Sequence, residues 1–294
     1  MDKLRAKLHV KHELGRALLA EFTGTFLLLL VLNSVVAQAV LPKSKGVLGN
    51  ETIGVNIGIG IAIWFGVAIS ARLSGGHINP AVSAMFALFG QLSPVRFLLY
   101  FVVQLLGALF GSAVAYAVYQ DAIFGFDGGN HQIVGNSATA GIFASYPAVP
   151  VGLFNGFLNQ MVATAVFCFL IAHITDKRNA YPSWVQPVLI GVTFVGIGTA
   201  FAYNDGYPCN PARDLGPRLF TFIWGYGGEV FSHRTWSWVP VIAPLVGGIL
   251  GGLLYQLLIG FHTPQDVEEK YVVLTGNQEL KPLTSKDAEE SAQA

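Results

Sequence analysis

"GGHINPAVSAMFALFG", residues 75–90, and "YPCNPARDLG", residues 207–216, carry the same Asn-Pro-Ala tripeptide inside otherwise apolar sequence, once at 79 and again at 210. Each tripeptide opens an apolar run, Asn79 to Phe89 and Asn210 to Trp224, that falls short of the roughly 20 residues a helix needs to cross a bilayer. Asparagine suits the cap and proline the first helical position, so both runs read as helices that begin abruptly and stop halfway. A single copy would be an ordinary helix start. Two copies at matching places predict a pair of re-entrant half-helices.

The rest of the chain supplies six longer runs: Ala17 to Leu41, Thr52 to Ala71, Pro94 to Tyr119, Val151 to Thr175, Trp184 to Tyr203 and Trp238 to Phe261. Of its 294 residues 53% are hydrophobic and 12% charged, whereas soluble domains average about 25% charged. The first run follows a basic segment but is too long for the core of a cleaved signal peptide, so it is expected to stay as a span. The 17 basic and 17 acidic side chains cancel, which argues against a nucleic-acid partner. Cys168 and Cys209 offer neither metal-ligand spacing nor a disulfide framework, and no cofactor is expected.

The chain also repeats itself. "AEFTGTFLLLL" at 20–30 resembles "NQMVATAVFCFL" at 159–170, each a polar residue followed by a small-residue run. Glu21 and Gln160 are separated by 139 residues and the two tripeptides by 131. With three spans per half, the second copy must insert upside down, a design common among membrane transport proteins. The expectation is an all-α membrane protein with six transmembrane helices plus two re-entrant half-helices in an inverted 3+3 repeat. Residues 1–16 read as a cytoplasmic N-terminal segment and 17–262 as a channel domain, with repeats at about 17–120 and 151–262. Residues 263–294 read as a disordered cytoplasmic tail. Lys3, Arg5, Lys7, Lys11, Arg16, Lys177 and Arg178 put both termini inside, and the sequon at Asn50 suits an outer, glycosylated loop.

Non-helical backbone survives at membrane depth only where protein buries it or water wets it, so two broken segments imply a lined cavity. If the half-helix starts meet, Asn79 and Asn210 can cap their own helices through the side-chain oxygen and turn amide N–H donors to a lumen. The carbonyls of Gly75, Gly76, His77, Pro208 and Cys209 would form an acceptor ladder. Glu21 needs donors, which the loop N–H groups can supply; Gln160, at the matching place, still has an oxygen to accept. Arg213 at membrane depth reads as functional, its bland alternative being an ion pair with Asp214. His77 reads mainly as a hydrogen-bonded side chain whose carbonyl faces the lumen.

Together "AEFTGTF", "SGGHINPAVS", "IFASYPA", "NPARDLGPRLF" and "WVPVIAPL" give the chain a resemblance to the major intrinsic protein family and, within it, to the animal aquaglyceroporins. The resemblance implies an aquaporin-like homotetramer in the lipid bilayer of the plasma membrane. Each subunit would have its own pore for glycerol, water and small neutral solutes such as urea. It places Asn79-Pro80-Ala81 and Asn210-Pro211-Ala212 at the pore centre, and Ile59, Gly198, Tyr207 and Arg213 at an outer constriction. A small residue at 198 implies a wide opening, with Tyr207 facing the carbon side of a polyol and Arg213 its hydroxyls. Ile59 departs from the family pattern, which has an aromatic there. Asp214, directly after the Arg, agrees with the glycerol branch and joins Glu21 and Gln160 as loop support.

Two other classes compete. Inverted repeats with broken helices also build alternating-access carriers, but ion coupling needs titratable groups at mid-membrane and few are present. An enzyme needs a nucleophile with its base, paired carboxylates or a metal cluster, and none is apparent.

Overall fold

The computed structural model describes residues 1–42, 51–148 and 150–264; the Asn50 sequon and nearly all of the expected tail lie outside them. The helices are α1 (Asp2–Leu8), α2 (Glu13–Val40), α3 (Thr52–Ser74), α4 (Pro80–Leu88), α5 (Pro94–Asp127), α6 (Leu153–Thr175), α7 (Gln186–Asp205), α8 (Pro211–Thr221), α9 (Glu229–Ser232) and α10 (Val239–Leu258). Six of these, α2, α3, α5, α6, α7 and α10, are long and apolar enough to cross a membrane. Helices α4 and α8 are the short ones that start at Pro80 and Pro211, and α8 runs on into a π-helical turn, Phe222–Tyr226.

The spans start and stop within a few residues of where the apolar runs do, except α5. It continues through Asp127, making it about 51 Å long at 1.5 Å per residue, well beyond a 30 Å hydrocarbon layer. The stretch after Tyr119, interrupted by Gln120 and Asp121, stays helical because its end is held. The Asp127 carboxylate accepts from Gly129 N at 2.8 Å and Thr139 Oγ1 at 2.9 Å and faces His131 Nδ1 at 3.1 Å.

Packing follows the membrane rule that small residues face helices and large apolar ones face out. On α5 an exposed stripe at every fourth position, Leu98, Val102, Leu106, Phe110, Val114 and Val118, backs onto buried Gly107, Ala108, Gly111, Ser112 and Ala115. Gly107 and Gly111 lie so close to the Phe22 and Phe26 carbonyls of α2 that a Cβ would overlap them. Gly247 and Gly251 of α10 do the same against the Met161 and Ala165 carbonyls of α6. The two contacts are copies of one another: Phe22 and Phe26 precede Met161 and Ala165 by the same 139 residues that separate Glu21 from Gln160.

The repeat extends to backbone dihedrals. Gly75 ends α3 at φ 94° and Gly206 ends α7 at φ 77°, both left-handed. Gly76 and Tyr207 follow at 69° and 44°, and Ile78 and Cys209 precede the asparagines at 44° and 48°. Asn79 and Asn210 are then extended, at −158° and −154°. Left-handed φ is costly for a β-branched residue such as Ile78 and requires surrounding structure to hold it.

Candidate functional site

Those two loops bring α4 and α8 tip to tip. Asn79 Oδ1 accepts from Ala81 N at 2.8 Å, and Asn210 Oδ1 accepts from Ala212 N at 3.0 Å and Arg213 N at 3.2 Å, so each caps its own helix. The amide nitrogens cross over: Asn79 Nδ2 donates to the Cys209 carbonyl at 2.9 Å, and Asn210 Nδ2 donates to the Ile78 carbonyl at 3.0 Å. One of the two N–H bonds on each amide therefore ties the loops together, leaving the other for a molecule in the cavity. The expectation that both donors face the lumen changes accordingly. So does the ladder: the Cys209 carbonyl is engaged by Asn79 and the residue is fully buried.

Three cavities that share lining residues lie along this junction. The middle one is lined by Gly75, Gly76, His77, Ile78, Asn79, Pro208, Asn210 and Arg213 on its polar side. Leu28, Leu32, Ile63, Val67, Phe167, Ile171, Ile190 and Phe194 make its apolar side. Arg213 is shared with a vestibule lined by Asn56, Ile59, Ser145, Tyr146, Asp205 and Tyr207. Gly75, His77, Phe86 and Thr175 are shared with a second vestibule on the terminal face, which adds Arg72, Gln91 and Trp184.

The loop of the first half hangs on one carboxylate. Glu21 is fully buried; its Oε1 accepts from His77 N at 2.9 Å and Ser74 Oγ at 2.6 Å, and its Oε2 from Ile78 N at 2.7 Å and Gln104 Nε2 at 2.8 Å. Four donors satisfy a charge that would otherwise be prohibitive at this depth. The His77 ring is held by Ser83 Oγ at 3.1 Å and stacks on Phe86 with centroids 4.7 Å apart.

Gln160 does not mirror this. Among the described residues neither its Oε1 nor its Nε2 has a partner in good hydrogen-bond geometry, nor has Oδ2 of buried Asp205, the carboxylate that Gln160 neighbours. Pro208 stands where the first loop has His77, and a proline has no N–H to give. The second loop is held instead by Asp205 Oδ1, which accepts from Tyr207 N at 3.2 Å and Asn159 Nδ2 at 3.3 Å.

Arg213 and Asp214 have separate surroundings. Arg213 Nη1 reaches the Phe143 carbonyl at 3.4 Å and lies 3.9 Å from Asp214 Oδ2, so most of its five donors are left for the cavity. Asp214 is engaged elsewhere: Oδ2 takes Ser145 N at 2.7 Å and Ser145 Oγ at 2.6 Å, and Oδ1 takes Arg218 Nε at 2.9 Å and Nη2 at 2.7 Å. Arg218, fully buried, also donates to the Val230 carbonyl at 2.6 Å and the Ser145 carbonyl at 2.7 Å, and lies over the Tyr146 ring. Sequence reasoning missed it, although its position four after Asp214 on one helix signals an ion pair.

Gly198 has a different setting from the open wall expected of it. A Cβ there would lie 2.7 Å from Tyr207 Cζ and Oη and 2.7 Å from Asn56 Oδ1. The space freed by the glycine is filled by the Tyr207 phenol, whose hydroxyl donates to Asn56 Oδ1 at 2.6 Å.

On the terminal face, Asp176 just beyond α6 accepts from Arg178 Nη2 at 2.6 Å and Tyr255 Oη at 2.7 Å. The Arg178 hydrogen bonds hold its carboxyl down at about 2. Arg178 Nη1 donates in turn to the Gly260 carbonyl at 2.8 Å, tying the end of α10 to the α6–α7 connection.

A six-span bundle whose two half-helices are apposed beside a row of cavities that share lining residues defines a helical membrane protein of inverted-repeat, channel-like design. The family model described as "Major intrinsic protein" matches residues 9–255. Human Aquaporin-9 is 41% identical over 280 residues, 95% of this chain and 93% of the relative. Aquaglyceroporin-2 of Rhizophagus irregularis is 41% identical over 243 residues, 82% of this chain and 76% of the relative. The X-ray structure of the aquaglyceroporin from Plasmodium falciparum superposes with a TM-score of 0.76 at 26% identity, covering 85% of this chain and 98% of that one. The chain belongs to the major intrinsic protein family.

Proposed function

We propose that this protein is a passive transmembrane channel for glycerol, water and other small neutral solutes such as urea, closed to protons and ions and without enzymatic activity. The observation that carries this reading is the pair of half-helix starts, cross-tied by Asn79 and Asn210, beside three cavities that share lining residues. Both helix starts bring positive dipole ends to the centre, which disfavours cations there. The remaining amide N–H of each asparagine orients the oxygen of a passing water or hydroxyl, and the carbonyls of Gly75, Gly76, His77 and Pro208 accept its protons. Opposite them the apolar wall of Leu28, Val67, Phe194 and their neighbours suits the carbon side of a polyol. Arg213 serves as the fixed charge of the outer constriction with Ile59, Gly198 and Tyr207. Glu21 and Asp214 hold the loops, and Gln160 packs behind the second loop.

In this reading residues 17–262 form the channel domain, the termini are cytoplasmic, and the subunit assembles as a homotetramer in the plasma membrane. Exposed apolar faces on every span, such as the α5 stripe, supply the surface for lipid and for neighbouring subunits. Purified protein in vesicles, challenged with osmotic gradients of glycerol, urea and sorbitol beside a water control, tests it. Glycerol flux linear in concentration is the expected result. Flux no faster than in protein-free vesicles, or saturable flux driven by an ion gradient, would overturn the proposal.

A further inference from the structure

Asn56 lies one turn before Ile59 on the same face of α3 and is 2% exposed. Its side chain faces Tyr207, 151 residues away in the chain. An amide can be placed either way round, and here the neighbours decide it. Thr199 Oγ1 gives its proton to the Val195 carbonyl at 2.8 Å, so toward Asn56 it can only accept, and Asn56 Nδ2 donates to it at 3.4 Å. That turns Asn56 Oδ1 toward Tyr207, and the phenol must be the donor in the 2.6 Å contact.

Three consequences meet at one place. The Tyr207 proton is not offered to the vestibule. The ring, packed against Phe194 with centroids 5.5 Å apart, is fixed at both ends, by its hydroxyl and by its backbone N–H on Asp205. Gly198 is needed because any Cβ would enter the hydroxyl–amide contact itself.

We infer that Asn56 is a specificity-determining residue that positions Tyr207. By taking the phenolic proton it makes Tyr207 an apolar wall, leaving Arg213 as the side-chain donor of the outer constriction. This rests on reading the chain as a glycerol and water channel. Without the Asn56 acceptor the ring is free to swing into the vestibule, where it obstructs a polyol more than a water molecule.

The test uses full-length protein in lipid vesicles, with water and glycerol permeability measured on the same preparation for wild type, Asn56→Leu, Tyr207→Phe and the double variant. Wild-type glycerol flux checks the channel reading independently. In Asn56→Leu the glycerol-to-water ratio is expected to fall about fivefold, within the range that residues in contact can produce. Tyr207→Phe loses the same anchor and should fall equally, and the double variant should fall no further. An unchanged ratio in Asn56→Leu, or effects that add in the double variant, would overturn the inference while leaving the channel intact. Gly198→Ala, on a different helix, should reproduce the fall; it carries the test if Asn56→Leu fails to reach the bilayer, and an unchanged ratio there is equally fatal.

Discussion

In a Glu21→Gln protein the amide must turn its N–H₂ toward one of two pairs of donors. One pair is Ile78 N and Gln104 Nε2; the other is His77 N and Ser74 Oγ. Gln104 can turn its amide to accept in the first case, leaving Ile78 N unpaired, and the Ser74 hydroxyl can redirect its proton to the Ser70 carbonyl at 3.1 Å in the second. Either way one backbone N–H, Ile78 or His77, is left without its Glu21 partner and the surviving bonds lose their charge. A hydrogen bond to a charged group contributes about 1.5–3 kcal/mol, so losing one and weakening the others costs about 3 kcal/mol. In a chain of this length that corresponds to an unfolding temperature lower by about 5 °C. The loop that holds Ile78 in a left-handed conformation would no longer be uniquely favoured, and water and glycerol permeability should both fall about tenfold or more. Thermal unfolding in detergent and stopped-flow light scattering on vesicles read the two effects. Wild-type unfolding together with wild-type flux would refute the assignment of Glu21 as the support of this loop.

Other substitutions probe independent parts. Arg218→Met leaves Asp214 buried without its partner and should destabilise by about 3–5 kcal/mol, measured by the same unfolding assay. Arg213→Val removes a charge that donates little to the fold, so stability should hold while proton leak rises; an unchanged rate of pH equilibration in dye-loaded vesicles would count against it. Asp176, held at about 2 against an ordinary 3.8, contributes stability that is complete above about 3.8 and is lost as pH falls toward 2. Asp176→Asn should therefore lower the unfolding temperature at neutral pH and flatten its decline between pH 4 and 2.

The spans and both half-helices could be read directly because hydrocarbon imposes long apolar runs and the broken segments are marked by Asn-Pro-Ala. Glu21 stood out because a carboxylate inside a span demands donors. What stayed hidden depends on pairs brought together only by folding. Asn56 looks like one polar residue in an apolar helix until Tyr207 arrives from the other half. The extension of α5 to Asp127 depends on contacts with Thr139 and His131 that polarity alone argues against. Gln160 was expected to act like Glu21, but the proline at 208 removes a donor that its partner loop has. Gly198 was legible as small, yet not as the space that a phenol fills.

The reciprocal ties at the centre also bear on biogenesis. Asn79 binds a carbonyl 130 residues later, and Asn210 one 132 residues earlier. At roughly 5–20 residues per second of synthesis, the first loop waits on the order of ten seconds for its counterpart. Neither half on its own can finish the junction, since each supplies the acceptor that the other's amide requires. Truncation after the third span should thus yield a membrane-inserted fragment with an unfinished loop, and closing the midpoint has to wait for the second half.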